Sequence, residues 1–256
     1  MIFRAAFSYM NFGNLLRAIA VCMAAITLPA NAAVFTQIAD PFVRVDVDGS
    51  PGLDSQFDLG ATGTELPNYA TVYDDFLFAN DSVVTNFSWI GSYELDEEGD
   101  VLASEFMVSV YANETTGPFS NEPSDTPIYT ETISSSALGE EQFFIGDRAF
   151  RSYSADITGL LELTGGETYW FSVVAQLDWA DNNWGFAFSD LGNGNSFQDF
   201  QDDVDVEELV RHNDTYDYAF SVTAVPEPGA FAVIGLTGLL AVAYRGRRRN
   251  VVVGVV

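Results

Sequence analysis

Tyr169-Trp170-Phe171-Ser172-Val173-Val174 is the stretch that decides the fold of this chain. Tyr169, Phe171 and Val173 fall on one side of a period of two; Trp170, Ser172 and Val174 fall on the other. Aromatic and β-branched side chains suit a pleated backbone. Their alternation predicts a half-buried antiparallel strand. The same period recurs on either side. Phe106, Val108 and Val110 alternate with Met107, Ser109 and Tyr111, and Tyr216, Tyr218, Phe220 and Val222 alternate with Asp217, Ala219, Ser221 and Thr223. Further strands are expected at 41–47, 70–78, 82–93, 127–134, 141–145, 148–157 and 183–189. Turn-rich stretches separate them, among them Asn113 to Pro127, Thr164-Gly165-Gly166 and Gly192-Asn193-Gly194-Asn195. About ten short strands without a βαβ rhythm predict an all-β fold, an antiparallel β-sandwich that is jelly-roll-like. Residues 33–69 are expected to supply an edge strand and a loop. One segment breaks the period: Val206, Leu209 and Val210 recur at helical spacing, with acids ahead and Arg211-His212 behind. That pattern predicts a short helix between Asp202 and His212.

Charge narrows the partners. The chain carries 37 acidic and 10 basic residues, a net charge of −27. Every basic residue is an arginine, and only Arg44, Arg148, Arg151 and Arg211 lie within 33–225, which holds all the acids except Glu227. Such a surface repels phosphate backbones and argues against a nucleic-acid partner. It repels anionic headgroups as well, and it attracts divalent cations. The single cysteine, Cys22, lies in the front apolar segment behind Val21, where a lipidation signal would place a small residue. With that segment removed, the chain has no disulfide, no thiol nucleophile and no thiolate metal ligand.

The two ends carry addresses. Arg4 and Arg17 precede the apolar run Ala18 to Leu28, which Pro29 ends, and Ala30-Asn31-Ala32 offers small residues at the positions a signal peptidase inspects. This predicts a signal peptide over 1–32, recognised through Ala30 and Ala32 and cut after Ala32. At the other end, Val225-Pro226-Glu227-Pro228-Gly229 leads into the apolar run Ala230 to Ala243, then Tyr244 and the cluster Arg245, Arg247, Arg248 and Arg249. Two prolines so close forbid a regular helix or a central strand, which predicts an extended, protease-accessible joint. Gly229 to Tyr244 would span about 24 Å as a helix, somewhat short of the bilayer's apolar thickness of about 30 Å. The arginines would hold its end in the cytoplasm.

This tail resembles the PEP-CTERM sorting signal, with its Pro226-Glu227-Pro228 motif, hydrophobic helix and basic end over 225–249. The resemblance implies recognition and removal of the tail by an exosortase, a membrane transpeptidase-like protease. It implies delivery to the cell surface or extracellular matrix, often in bacteria that make exopolysaccharide and biofilm. Asn250 to Val256 extend beyond the usual end of such a signal. The middle resembles the β-sandwich ectodomain carried by many such proteins. The landmarks are Tyr73-Asp74-Asp75-Phe76, Phe87 to Tyr93, Leu163 to Phe171 and Trp184 to Phe188. The expected organisation is a signal peptide at 1–32, an ectodomain at 33–224, a sorting signal at 225–249 and a short tail at 250–256.

No catalytic motif stands out. His212 is the only histidine, no G-x-S-x-G elbow accompanies it, and a site built on several imidazoles is excluded. With so many acids some carboxylate pair always falls at a hydrolytic distance, so their number is no argument for glycoside hydrolysis. Three clusters carry the hard oxygen ligands that calcium takes: Asp46 to Gly49, Asp96 to Asp100, and Asp178 to Asn183. In the third, Asp178, Asp181 and Asn182 are the candidate ligands, and Trp179 and Trp184 flank them as a candidate platform for a sugar ring. Trp89 and Trp170 are expected inside the sandwich. No cofactor is required; calcium is the one ion the loops suggest. The leading expectation is a non-enzymatic exported surface or matrix protein associated with exopolysaccharide or biofilm. Its partners would be signal peptidase and exosortase, with extracellular polysaccharide as a further candidate. The C-terminal helix would hold it in the membrane before processing. The alternatives are a carbohydrate-binding or calcium-dependent adhesion module and, third, an enzyme acting on polysaccharide.

Overall fold

A computed structural model describes residues 32–38, 52–57, 69–94, 100–146, 148–177, 182–200, 208–213 and 217–227. The signal segment before Ala32, the strand expected at 41–47, most of the 178–183 loop and the tail from Pro228 onward lie outside them. Ala32–Pro226 form one compact unit.

The described residues hold sixteen strands: β1 (Ala33–Thr36), β2 (Gly52–Asp54), β3 (Gln56–Phe57), β4 (Tyr69–Leu77), β5 (Ser82–Tyr93), β6 (Glu105–Glu114), β7 (Glu122–Ser134), β8 (Gly139–Ile145), β9 (Arg148–Asp156), β10 (Glu162–Leu163), β11 (Thr168–Gln176), β12 (Trp184–Ser189), β13 (Asn195–Phe200), β14 (Glu208–Asn213), β15 (Asp217–Tyr218) and β16 (Phe220–Pro226). Nine form one sheet around the path β1-β16-β5-β12-β15, with β2, β8, β9 and β10 attached. Seven form the other, in the order β14-β13-β4-β3-β11-β6-β7. Pairing is antiparallel except between β3 and β11, which run parallel.

The inner faces of the two sheets supply one aromatic-rich core. Phe171 of β11 stacks on Phe87 of β5 at 5.0 Å and on Phe220 of β16 at 4.8 Å between centroids. Trp89, Phe106, Tyr153, Trp184 and Phe186 continue it. Offset and tilted rings at these separations add to the stabilisation from buried area. The expected β-sandwich is therefore the observed fold.

β11 departs from expectation in one respect. It is buried on both faces, not one. Trp170 points away from the main core into a second cluster with Tyr73, Tyr111 and Phe197, against which Phe119 and Leu209 pack. Its indole Nε1 donates to Asn113 Oδ1 at 3.0 Å, as a buried indole requires. Phe119 of the β6–β7 connection and Leu209 of the edge strand β14 thus add to an apolar cluster on the outer face of this sheet. The edge strand β7 carries Pro123 and Pro127, tolerated because it pairs on one side only, and its register with β6 slips near both.

The helix expected within Asp202 to His212 is a second correction over 208–212, residues 202–207 lying outside the described residues. Residues 208–213 form β14, paired in register with β13 from Asn195↔Asn213 to Phe200↔Glu208. An isolated helix of this length is marginal in water. The open edge of β13 offers a ladder of backbone partners instead.

Candidate functional site

Two places were singled out by sequence, the C-terminal motif and the 178–184 loop. The last strand, β16, enters the motif directly. It is held on one side by β1, from Ala33↔Ala224 to Thr36↔Ser221. On the other side it pairs with β5, from Phe220↔Trp89 to Pro226↔Ser82, with a bulge between Thr223 and Ala224. Phe220, Val222 and Ala224 are buried, whereas Val225 and Glu227 are exposed. The first residue of the Pro-Glu-Pro motif is therefore the last residue of the sheet. Proline is accepted there because a strand end need not donate. This sharpens the expectation of a wholly extended joint: the sheet runs through Pro226 and stops. Glu227 is the first residue beyond it. Pro228, Arg245, Arg247, Arg248 and Arg249 lie outside the described residues, as does Ala30; Ala32 stands exposed just ahead of β1.

The loop is different from what the sequence suggested. Trp184 is fully buried, 5.4 Å from Phe106 and 6.2 Å from Phe186 between ring centroids, so it is a core residue and offers no platform to a sugar. An indole in a row of apolar alternating positions is drawn inward because burying its large surface outweighs leaving it beside a polar loop. Asn182 is buried too. Its Nδ2 donates to Val101 O at 2.9 Å, and its Oδ1 accepts from Asn183 N at 2.9 Å. Gln56 ties the same segment to β3: its Nε2 donates to Asn182 O at 3.3 Å, and its Oε1 accepts from Trp184 N at 2.8 Å. Asn182 is thus a structural brace. Asp178, Trp179 and Asp181 lie outside the described residues.

The structure brings Glu94 and Asn183 together at this corner. Asn183 Nδ2 donates to Glu94 Oε2 at 2.7 Å, and Glu94 N donates to Asn183 O at 2.9 Å. Desolvation of its carboxyl, followed by the nearby charge of Glu94, raises Asp54 above its ordinary range, although the residue as a whole is exposed at the end of β2. Asp54, Glu94 and Asn183 thus lie near one another, while Asp46 to Gly49, Asp96 to Gly99 and Asp178 to Asp181 lie outside the described residues. Among the described residues no three His, Cys, Asp or Glu side chains are arranged to hold a metal ion. His212 occupies β14 opposite Ser196.

Sequence reasoning passed over another group of residues. Asp74 is completely buried, and Asp75 and Asp217 are buried beside it. A signal was present. Val72, Asp74 and Phe76 share one phase of β4's alternation, and an acid in a core phase is anomalous.

The family model of the PEP-CTERM protein-sorting motif matches residues 224–249. No curated protein and no solved structure matches the chain. The chain carries a PEP-CTERM sorting motif, which implies an exported protein that transits the membrane and is sorted by an exosortase.

Proposed function

We propose that exosortase sorting delivers this β-sandwich as a non-enzymatic component of the cell surface or extracellular matrix, associated with exopolysaccharide or biofilm. The observation that carries the reading is the junction at Pro226. Strand β16 is complete at that residue, so removal of everything beyond Glu227 takes none of the described strands from the sheet. In this reading a transient membrane hold at 229–249 follows a body whose last strand ends at Pro226. Signal peptidase would cut after Ala32, immediately ahead of β1. The core is filled by aromatic packing, which suits a structural module whose stability rests on burial without disulfides. The test is intact mass of the protein recovered from cells and medium, with and without the host exosortase. A species running from Ala33 to near Pro226, formed only when the exosortase is present, supports the proposal. Retention of Ala230 to Arg249 in every fraction refutes it.

One observation favours a second reading, a carbohydrate-binding or calcium-dependent adhesion module. The Glu94–Asn183 pairing, with Asp54 nearby, sets two carboxylates beside the end of the 178–183 loop, and carboxylates attract hard cations. A glycan array probed with and without calcium tests it. Calcium-dependent binding lost in Trp179→Ala supports the module, and absence of binding under every condition sinks it.

A further inference from the structure

Among the described residues β8 pairs with β9 alone, in an unbroken register from Gly139↔Ser154 to Ile145↔Arg148. Gly139, Glu140, Glu141, Gln142 and Phe144 are all exposed, Phe144 to 64%. The far edge of the strand therefore stands open, with a row of backbone donors and acceptors along it. The contrast with β7, an edge of the other sheet, is chemical. β7 carries two prolines, which guard an edge against further pairing. β8 carries none, and its second half, Gln142-Phe143-Phe144-Ile145, is rich in residues that favour strands.

Charge is placed unevenly along this edge. Glu140 and Glu141 occupy its first half, and Arg148 stands exposed opposite Ile145 at its end. Glu140 already pairs with Arg151 of β9. Glu141 lies on the other face, with Phe143 and Ile145, in the register of Ser152. On that face Phe143 stacks on Phe150 at 5.7 Å, with the rings 18° apart. Phe150 is itself fully buried, in a cluster with Ile90, Ala187 and Ala219. The edge is thus acidic at its start, aromatic in its middle and basic at its end. An antiparallel copy of the same edge sets unlike ends together, and a parallel copy sets like ends together.

We propose that β8 is a self-association edge, pairing antiparallel with β8 of a second copy so that two nine-stranded sheets join across a twofold axis. An axis perpendicular to the sheet keeps equivalent faces on one side. Directly opposed residues then share a phase of the alternation, so the axis passes through a residue. Glu141 on the axis would oppose two like charges. Gln142 on the axis would set Glu141 against the partner's Phe143. Phe144 on the axis would carry Glu141 past the end of the partner's strand. Phe143 on the axis satisfies the charges. Glu141 then faces the partner's Ile145, in one row with the partner's Arg148, their backbones about 10 Å apart. The two long side chains close that gap over the isoleucine, and symmetry makes the pair twice. Phe150 and Phe143 continue into the partner's Phe143 and Phe150 as a ladder of four rings. A strand of seven residues makes a small interface, and each chain carries a net charge of −27. Association is therefore weak in dilute solution and tightens with concentration and with salt.

The test is cysteine trapping in the full chain. Cys22 is the one native cysteine, so single cysteines are placed in turn at 139–145 in a Cys22→Ala background. Each variant is oxidised, and the disulfide-linked dimer is measured on non-reducing gels. Phe143→Cys should give the most dimer, with yields falling away on both sides of it. At Gly139→Cys the two cysteines would stand about 26 Å apart along the strands. Arg148→Glu should lower the Phe143→Cys dimer about tenfold, because the like-charge contact is made twice. Adding Glu141→Arg should restore it. Equal yields at every position, a peak elsewhere in the strand, or no dimer at any position overturns the pairing. So does an Arg148→Glu change that leaves the yield unaltered. Should Phe143→Cys fail to fold, sedimentation equilibrium of the wild type against Arg148→Glu decides. A mass that rises with concentration in the wild type and less in Arg148→Glu supports the pairing, and equal masses refute it.

Discussion

Ala33 stands directly opposite Ala224 in antiparallel register, so the first strand of the body lies along its last. Residues adjoining the two expected processing points are therefore neighbours at one end of one sheet. β1 also contributes to the core, since Phe35 lies 5.5 Å from Phe220 and 5.9 Å from Phe76.

That arrangement predicts how far the chain can be shortened. A chain of residues 33–227 should melt in one cooperative transition, because every pairing of β16 is kept. A chain of 33–219 should show none, because β1 loses the one strand it pairs with among the described residues and β5 loses the partner along one of its edges. Circular dichroism melts distinguish them, and cooperative unfolding of the shorter chain would contradict the assignment of β16 as an integral strand.

Phe171 is the hinge of the core packing, stacked on both Phe87 and Phe220. Phe171→Ala should cost about 3–5 kcal/mol in urea unfolding, the range for emptying a buried aromatic site. Phe171→Leu should cost less, since it refills part of the space. Equal midpoints for wild type and Phe171→Ala would refute the core assignment.

Gly91 and Trp184 predict a non-additive pair. A Cβ on Gly91 would lie 2.3 Å from Trp184 Cζ2, inside any permitted contact. Gly91→Ala should therefore destabilise by about 1–3 kcal/mol through overpacking, and Trp184→Ala by about 3–5 kcal/mol through cavity formation. The double variant should lose less than the sum, because removing the indole removes the collision. Strict additivity in a double-mutant cycle would place the two residues apart.

The Asp54–Glu94 corner predicts a small contribution to pH dependence. Asp54 is raised on folding by desolvation of its carboxyl and by Glu94, so its share of stability, small because the residue is exposed, falls as pH climbs above 3.8. Glu94→Gln removes the like charge and still offers an oxygen to Asn183. The variant should lose less stability than wild type between pH 4 and pH 7. A steeper loss, measured by thermal melts across that interval, would reverse the sign and the explanation.

Much of this fold is legible along the chain, and the reason is local. β5 and β9 were expected within a residue of their observed bounds because alternation is a property of consecutive side chains. The short strands β2, β3 and β10 escape notice because two or three residues carry no period. β13 was hidden behind the turn signal of Gly192 to Asn195, which ends where the strand begins. β14 shows helical spacing in isolation and becomes a strand because β13 offers it a ladder.

What the chain determines by itself is its charge, its alternating strands and the sorting motif at 224–249, each written in adjacent residues. What tertiary structure decided is which of those residues face inward and whom they meet. It took Trp184 from a supposed surface into the core and turned Asn182 into a brace. It also set Asp74 against the backbone of Tyr218, 144 residues away. The physical reason is that strand pairing and sheet stacking join segments remote in sequence. Register then fixes the neighbours of every side chain, and no local period records that choice.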